Sequence, residues 1–167
     1  MRVDTVRQAD NLKGWRAPMR AVLMTLMAAT LLSLASGCMS MPDKRDPFGK
    51  TYYLDGAGNW GFGVGEIARG LANAGYPGSI ESFSWTTSFN PALDQVNRPV
   101  ARIRAAELTA KINTYLDRYP TNQVNIIALS AGTGVATWAI EGLKPPRTIN
   151  NFILLGSSIS SDYDMTE

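Results

Sequence analysis

The stretch Val124-Asn125-Ile126-Ile127-Ala128-Leu129 constrains the fold more than any other. It is a nearly continuous apolar run, entered after Pro120 and left through Ser130-Ala131-Gly132. That is the pattern of a strand covered on both faces, as in a parallel sheet. The rest of the chain alternates in the same sense. Thr51 to Leu54 is aromatic-rich and ends at Asp55-Gly56, a strand followed by a turn. Glu66 to Ala74 has helical spacing and stops at Gly75, with Pro77 beyond. Ser79 to Trp85 predicts a second strand, and Thr86 to Pro99 a loop. From Val100 to Tyr119 a helix is expected, with Ile103, Leu108, Ile112, Tyr115, Leu116 and Tyr119 as its apolar stripe. A further helix should run from Ala131 to Leu143, stopped by Pro145-Pro146, and a last strand from Phe152 to Leu155. The order β-α-β-α-β-α-β predicts an α/β fold, a three-layer sandwich around a mostly parallel sheet with right-handed crossovers.

Ahead of this domain the sequence has a different character. Lys13, Arg16 and Arg20 precede an apolar run from Ala21 to Ala35 (AVLMTLMAATLLSLA), and Ser36-Gly37 lead to the sole cysteine, Cys38. A run of fifteen residues is short for a membrane span, which needs about 20. They suit the h-region of an export signal. Residues 38–49 (CMSMPDKRDPFG) are polar and punctuated by proline and glycine, the composition of a tether. The expected organisation is a signal segment over 1–37, a tether over 38–49 and a domain over 50–167.

Charge and composition exclude several functions. The net charge is +2, but residues 1–20 hold five basic and two acidic residues. The remainder carries eleven basic and twelve acidic side chains. No basic cluster of the kind that binds nucleic acid remains in the domain. Histidine is absent and cysteine occurs once. A histidine base, a histidine or multi-cysteine metal site and an internal disulfide are therefore excluded within this chain. No metal and no cofactor is expected.

Two loops carry candidate chemistry. At Ala128-Leu129-Ser130-Ala131-Gly132 a strand passes into a helix through small residues placed two before and two after a serine. A nucleophile elbow needs that spacing, because its turn leaves no room for larger side chains. Ser130 would project outward, and the amide of Ala131, at a helix N-terminus, could stabilise an oxyanion. Gly134 is expected to let the following helix lie close to the sheet. The second loop, Asp55-Gly56-Ala57-Gly58-Asn59-Trp60-Gly61, follows the first strand, and its glycines allow backbone amides to approach a ligand.

Together, YYLDGAGNWG, IIALSAGTG and FILLGSSISSDYD resemble the α/β-hydrolase family of bacterial serine hydrolases, over about two-thirds of the chain. The resemblance implies that the four strands are that fold's third to sixth. It further implies Ser130 as nucleophile, the amide of Ala131 and a loop amide among Gly56, Ala57, Gly58 and Asn59 as oxyanion hole, and a small-molecule ester-like substrate. Leu34-Ala35-Ser36-Gly37-Cys38 likewise resembles the bacterial lipobox. That resemblance implies a lipidated Cys38 as the first mature residue, and an exported protein held at a membrane of the cell envelope.

The pattern departs from the family at the base. The family's histidine follows its acid in chain order, and no histidine occurs here. Asp162 and Asp164, after the last strand, are the candidate acids. Truncation of a longer enzyme before its acid and histidine, loss of catalysis in an α/β-fold lipoprotein, and a different base all account for the gap; truncation is the expectation. A rival lies in the first loop, where Gly56-Ala57-Gly58-Asn59-Trp60-Gly61 matches G-x-G-x-x-G and Glu81 stands near the spacing of a ribose-binding acid. Against a dinucleotide site, Phe62 to Gly65 reads as more loop rather than the start of a helix.

Overall fold

Four short segments with buried, strand-forming side chains set the frame. In a computed structural model that describes residues 43–86 and 90–165, these are β1 (Lys50–Leu54), β2 (Ser79–Ser82), β3 (Val124–Leu129) and β4 (Asn151–Leu155). They form a single sheet in the order β2-β1-β3-β4, every pair parallel. The described residues belong to one of the chain's two compact units, residues 42–167. The signal segment, Cys38 and the first part of the expected tether lie outside them.

Burial follows position in the sheet. All five residues of β1 are buried, as are the first five of β3, because each has a strand on either side. β2 and β4 are the edges, and Ile153 of β4 is 44% exposed. Tyr52 and Leu54 of β1 and Val124, Ile126 and Ala128 of β3 point to one face and join the hydrophobic core. Burying each large apolar side chain there contributes about 1.5–3 kcal/mol.

Helices α3 (Arg98–Arg118) and α4 (Gly132–Glu141) supply the other half of that core. The stripe of α3 differs from expectation at its start. Ala101 and Ala105 are buried, whereas Ile103 is 60% exposed. Leu108, Ile112, Tyr115 and Leu116 continue the buried line, so the stripe advances in alternating steps of four and three residues. Between α3 and α4, the Thr109 hydroxyl reaches the Ala139 carbonyl at 2.8 Å.

The opposite face of the sheet carries Thr51, Tyr53, Asn125 and Ile127. Helix α1 (Phe62–Asn73) lies against it, with Gly63 so close to the Tyr53 ring that a β-carbon there would overlap the Tyr53 hydroxyl. This helix begins four residues before the expected Glu66, directly after Gly61, despite its glycines. The region expected as one loop over 86–99 contains a short helix α2 (Pro91–Val96), capped by the Asn90 side chain on the Ala92 amide. β2 ends at Ser82 rather than Trp85, since ladder pairing with β1 runs out there.

The end of the expected tether is part of the domain. Asp46–Phe48 form a 3-10 turn and Asp46 is 7% exposed. Its carboxylate takes the Lys50 ammonium at 3.1 Å and the Ser79 hydroxyl. Its carbonyl accepts from the Tyr115 hydroxyl at 2.7 Å. Lys50 also pairs with Glu81 at 2.9 Å, and Glu81 with Lys111. Among the described residues no helix is long and apolar enough to cross a membrane.

Candidate active site

The strand order brings the two loops together. From β1 the chain moves outward to β2, then returns past β1 to β3 and continues to β4. The direction of winding therefore reverses between β1 and β3, and the crevice outside the carboxyl ends of those two strands is the switch point where open α/β sheets bind ligands. Asp55 to Gly61 leaves one of these ends and Ser130 the other. A β-carbon on Gly56 would stand 3.4 Å from the Ser130 β-carbon.

Ser130 sits between the end of β3 and the start of α4 with φ +48°. A non-glycine residue in this left-handed region costs about 1–3 kcal/mol unless its surroundings hold it. They do so here. The Ser130 amide donates to the Leu155 carbonyl at 2.9 Å. Its carbonyl accepts from the Thr133 amide at 3.0 Å, from the Thr133 hydroxyl, and from the Ser158 hydroxyl at 3.1 Å. No hydrogen bond within the described residues uses the Ser130 hydroxyl.

The small residues flanking Ser130 behave differently from one another. Ala128 is fully buried. Gly132 is required by close approach, because a β-carbon there would lie 2.4 Å from the Asp55 carbonyl oxygen and 3.1 Å from that of Leu54. Gly134, expected to bring the helix close to the sheet, does not: a β-carbon there would meet nothing within 4 Å. It lines a cleft instead.

Two buried carboxylates shape the glycine loop. Asp55 accepts from the Gly56 amide at 2.8 Å and the Gly61 amide at 2.7 Å. Asp94 of α2 accepts from the Gly58 amide at 2.9 Å. The Asn59 amide donates to the Gly56 carbonyl at 3.1 Å. Of the four candidate oxyanion donors, Gly56, Gly58 and Asn59 are thus already engaged, and only Ala57 keeps an amide without an acceptor among the described residues. The Ala131 amide likewise has no acceptor among the described residues. The Tyr53 hydroxyl donates to Asp55 at 3.4 Å, and burial together with the Asp55 charge pushes Tyr53 up to about 12, so it stays a donor at neutral pH. The Trp85 indole N–H holds the Asp55 carbonyl at 2.7 Å.

Ser130, Ala131, Gly56 and Ala57 are therefore brought together. Asp162 and Asp164 are not: both are exposed on the segment after β4, outside the clefts at Ser130. Asp162 accepts from the neighbouring Ser161 hydroxyl at 3.3 Å. Asp94, which lines a cleft with Ser130, was not singled out from the sequence. Its only local signal is the N-P-x-x-D run at 90–94, a helix start with an early acid. No group of three His, Cys, Asp or Glu side chains gathers as a metal site among the described residues. Comparison of the sequence with models of known protein families gives no match, and comparison with curated proteins gives none.

Proposed function

We propose that this protein is a serine hydrolase of the α/β-hydrolase type, acting on carboxylic esters or related acyl compounds and held at a bacterial membrane by a lipidated Cys38. The observation that carries the catalytic part is Ser130 at φ +48°, at the carboxyl end of a central parallel strand and at the topological switch point. The Ser130 hydroxyl attacks the acyl carbonyl, and the amides of Ala131 and Ala57 receive the developing oxyanion. The serine proton passes to a base and from it to the leaving alcohol; water then releases the acyl group from Ser130. The cleft contributes nucleophile and amides, and the chain contributes no imidazole.

The G-x-G-x-x-G match is better explained by this arrangement than by a dinucleotide. Helix α1 does open at Phe62, directly after the motif, as a dinucleotide site needs. The carboxylates of Asp55 and Asp94, however, occupy the amides of Gly56, Gly58 and Gly61. A pyrophosphate approaching the loop would meet two negative charges in place of free donors. Glu81, the candidate ribose acid, is paired with Lys50 and Lys111. A lipoprotein that keeps the fold without the chemistry is the remaining alternative, and the acylation of Ser130 separates it from a hydrolase.

A serine hydroxyl needs an adjacent base, so turnover of 4-nitrophenyl acetate by the 167-residue chain should be negligible. Imidazole added to the buffer supplies the missing base. Mass spectrometry should then find one acetyl group on the peptide holding Ser130, accumulating because deacylation lacks a positioned base. Acetyl spread equally over Ser157, Ser158 and Ser160, or persisting after Ser130→Ala, sinks the assignment. Rapid hydrolysis without imidazole, abolished by Ser130→Ala, would instead reveal another base.

The anchoring part is tested separately. Expressed in a bacterium, the mature chain should begin at Cys38 and carry acyl chains, each buried methylene of which adds about 0.8 kcal/mol to membrane binding. An intact N-terminus with an unmodified cysteine, read by mass spectrometry, rules it out.

A further inference from the structure

Ser130 borders two clefts of unlike chemistry, each of about 590 Å3. On one side the walls include Trp60 and Phe62, 60% and 80% exposed, whose rings meet edge to face at 6.4 Å. On the other side they include Arg98 and Arg102 from the first turns of α3. The Arg102 guanidinium lies 4.3 Å from the centre of the Trp138 ring, which also lines that cleft. A guanidinium held over an aromatic ring by cation–π attraction can still offer its N–H donors to a planar anion.

The arginine cleft has an excess of positive charge. Asp94 is the one carboxylate along its wall among the described residues, and it accepts from the Gly58 amide. Neither Arg98 nor Arg102 takes part in an ion pair among the described residues, although Arg45, Arg69, Arg104 and Arg147 all do. Two guanidinium groups beside the candidate nucleophile, and an exposed aromatic pair across from them, select a substrate that is charged at one end and apolar at the other.

We infer that the ester accepted at Ser130 carries a carboxylate that enters the cleft of Arg98 and Arg102, with its apolar group against Trp60 and Phe62. The inference rests on Ser130 as the reacting group and names the substrate class for that site. A carboxylate matches the guanidinium fork with two parallel hydrogen bonds. A neutral acyl chain in the same cleft would leave both guanidinium groups unanswered.

Equilibrium binding to the full chain carrying Ser130→Ala tests this without any chemistry. The probes are monobenzyl glutarate and benzyl valerate, equal in length and differing in the terminal carboxylate. The anionic ester should bind about tenfold tighter at low salt, with the advantage shrinking as ionic strength rises. Arg98→Gln with Arg102→Gln should erase the advantage. Arg104→Gln, on the same helix but paired with Glu107, should leave it intact. Equal affinity for the two probes, or a preference that survives the double substitution, overturns the inference. Acylation of Ser130 in the unmodified chain is a separate result: if it fails while the anion preference holds, the nucleophile assignment falls and the anion cleft remains.

Discussion

Replacing Lys50 with methionine should lower the stability of the domain by about 3–5 kcal/mol at neutral pH, the cost of stranding a buried charge. The Lys50 side chain is 10% exposed and its partner Asp46 9%. Both lie in a four-charge cluster with Glu81 and Lys111, formally neutral as built. Methionine fills much of the lysine stem but leaves two carboxylates facing one ammonium. Burial by itself would raise the Glu81 carboxyl, yet hydrogen bonds and charge from Lys111 and Lys50 hold it below its ordinary 4.5. Its contribution is therefore present above 4.5 and is lost as pH falls through the lower folded value. Burial would lower Lys50, but Glu81 and Asp46 hold it above 10.5. That contribution is present below 10.5 and disappears as pH rises through the higher folded value. Urea unfolding should show the gap between parent and Lys50→Met narrowing as pH falls below 4.5 and through the lowered folded value of Glu81, beneath which Glu81 is protonated in both. A gap under about 1 kcal/mol at neutral pH, the size of an exposed pair, would mean that the cluster is solvated.

Gly132→Ala and Gly134→Ala should differ in sign, although both add one methyl group to the same turn of α4. At 132 the new carbon would stand 2.4 Å from the Asp55 carbonyl and 3.1 Å from the Leu54 carbonyl. Those are backbone atoms of β1, and they cannot rotate away as a side chain could. Overpacking of this kind costs about 1–3 kcal/mol and sometimes more. Relief by moving α4 outward would drag the Ala131 amide away from Ala57. At 134 nothing lies within 4 Å, so alanine should stabilise the helix by roughly 0.5–1 kcal/mol. Thermal unfolding of the two variants measures the difference directly. Equal effects would mean that α4 does not approach β1 as closely as described.

The elements that could be recognised from local sequence are those whose pattern is local. β3 was legible because six residues of mostly apolar character admit little else, and the turn at Ser130 because a strand, small residues and a helix follow one another without interruption. α3 was legible through its spacing, except that Ile103 outweighed Ala101 and Ala105 by hydrophobicity. The structure buries the alanines, since a small side chain allows the close approach of α3 to its neighbours. Local propensity predicts a start for α1 four residues too late, because Gly63 and Gly65 lower helix propensity by about 1 kcal/mol each. Its actual start reflects contact with Tyr53, which propensity does not register.

What the sequence by itself determined is the alternation of strand and helix, the site of the sharp turn at Ser130, and the absence of imidazole from the chain. Periodicity, turn chemistry and composition are properties of neighbouring residues, and they survive without knowledge of the fold. Tertiary structure alone decided that β1 and β3 lie side by side, so that loops 75 residues apart in the chain, at Asp55 and Ser130, face one crevice. It also decided that Asp94 takes the Gly58 amide, singling out Ala57 among four loop residues, and that Asp46, Lys50, Glu81 and Lys111 share one cluster. These pairings depend on strand order and on hydrogen bonds between distant segments, whose geometry is fixed only when the sheet has closed around its core.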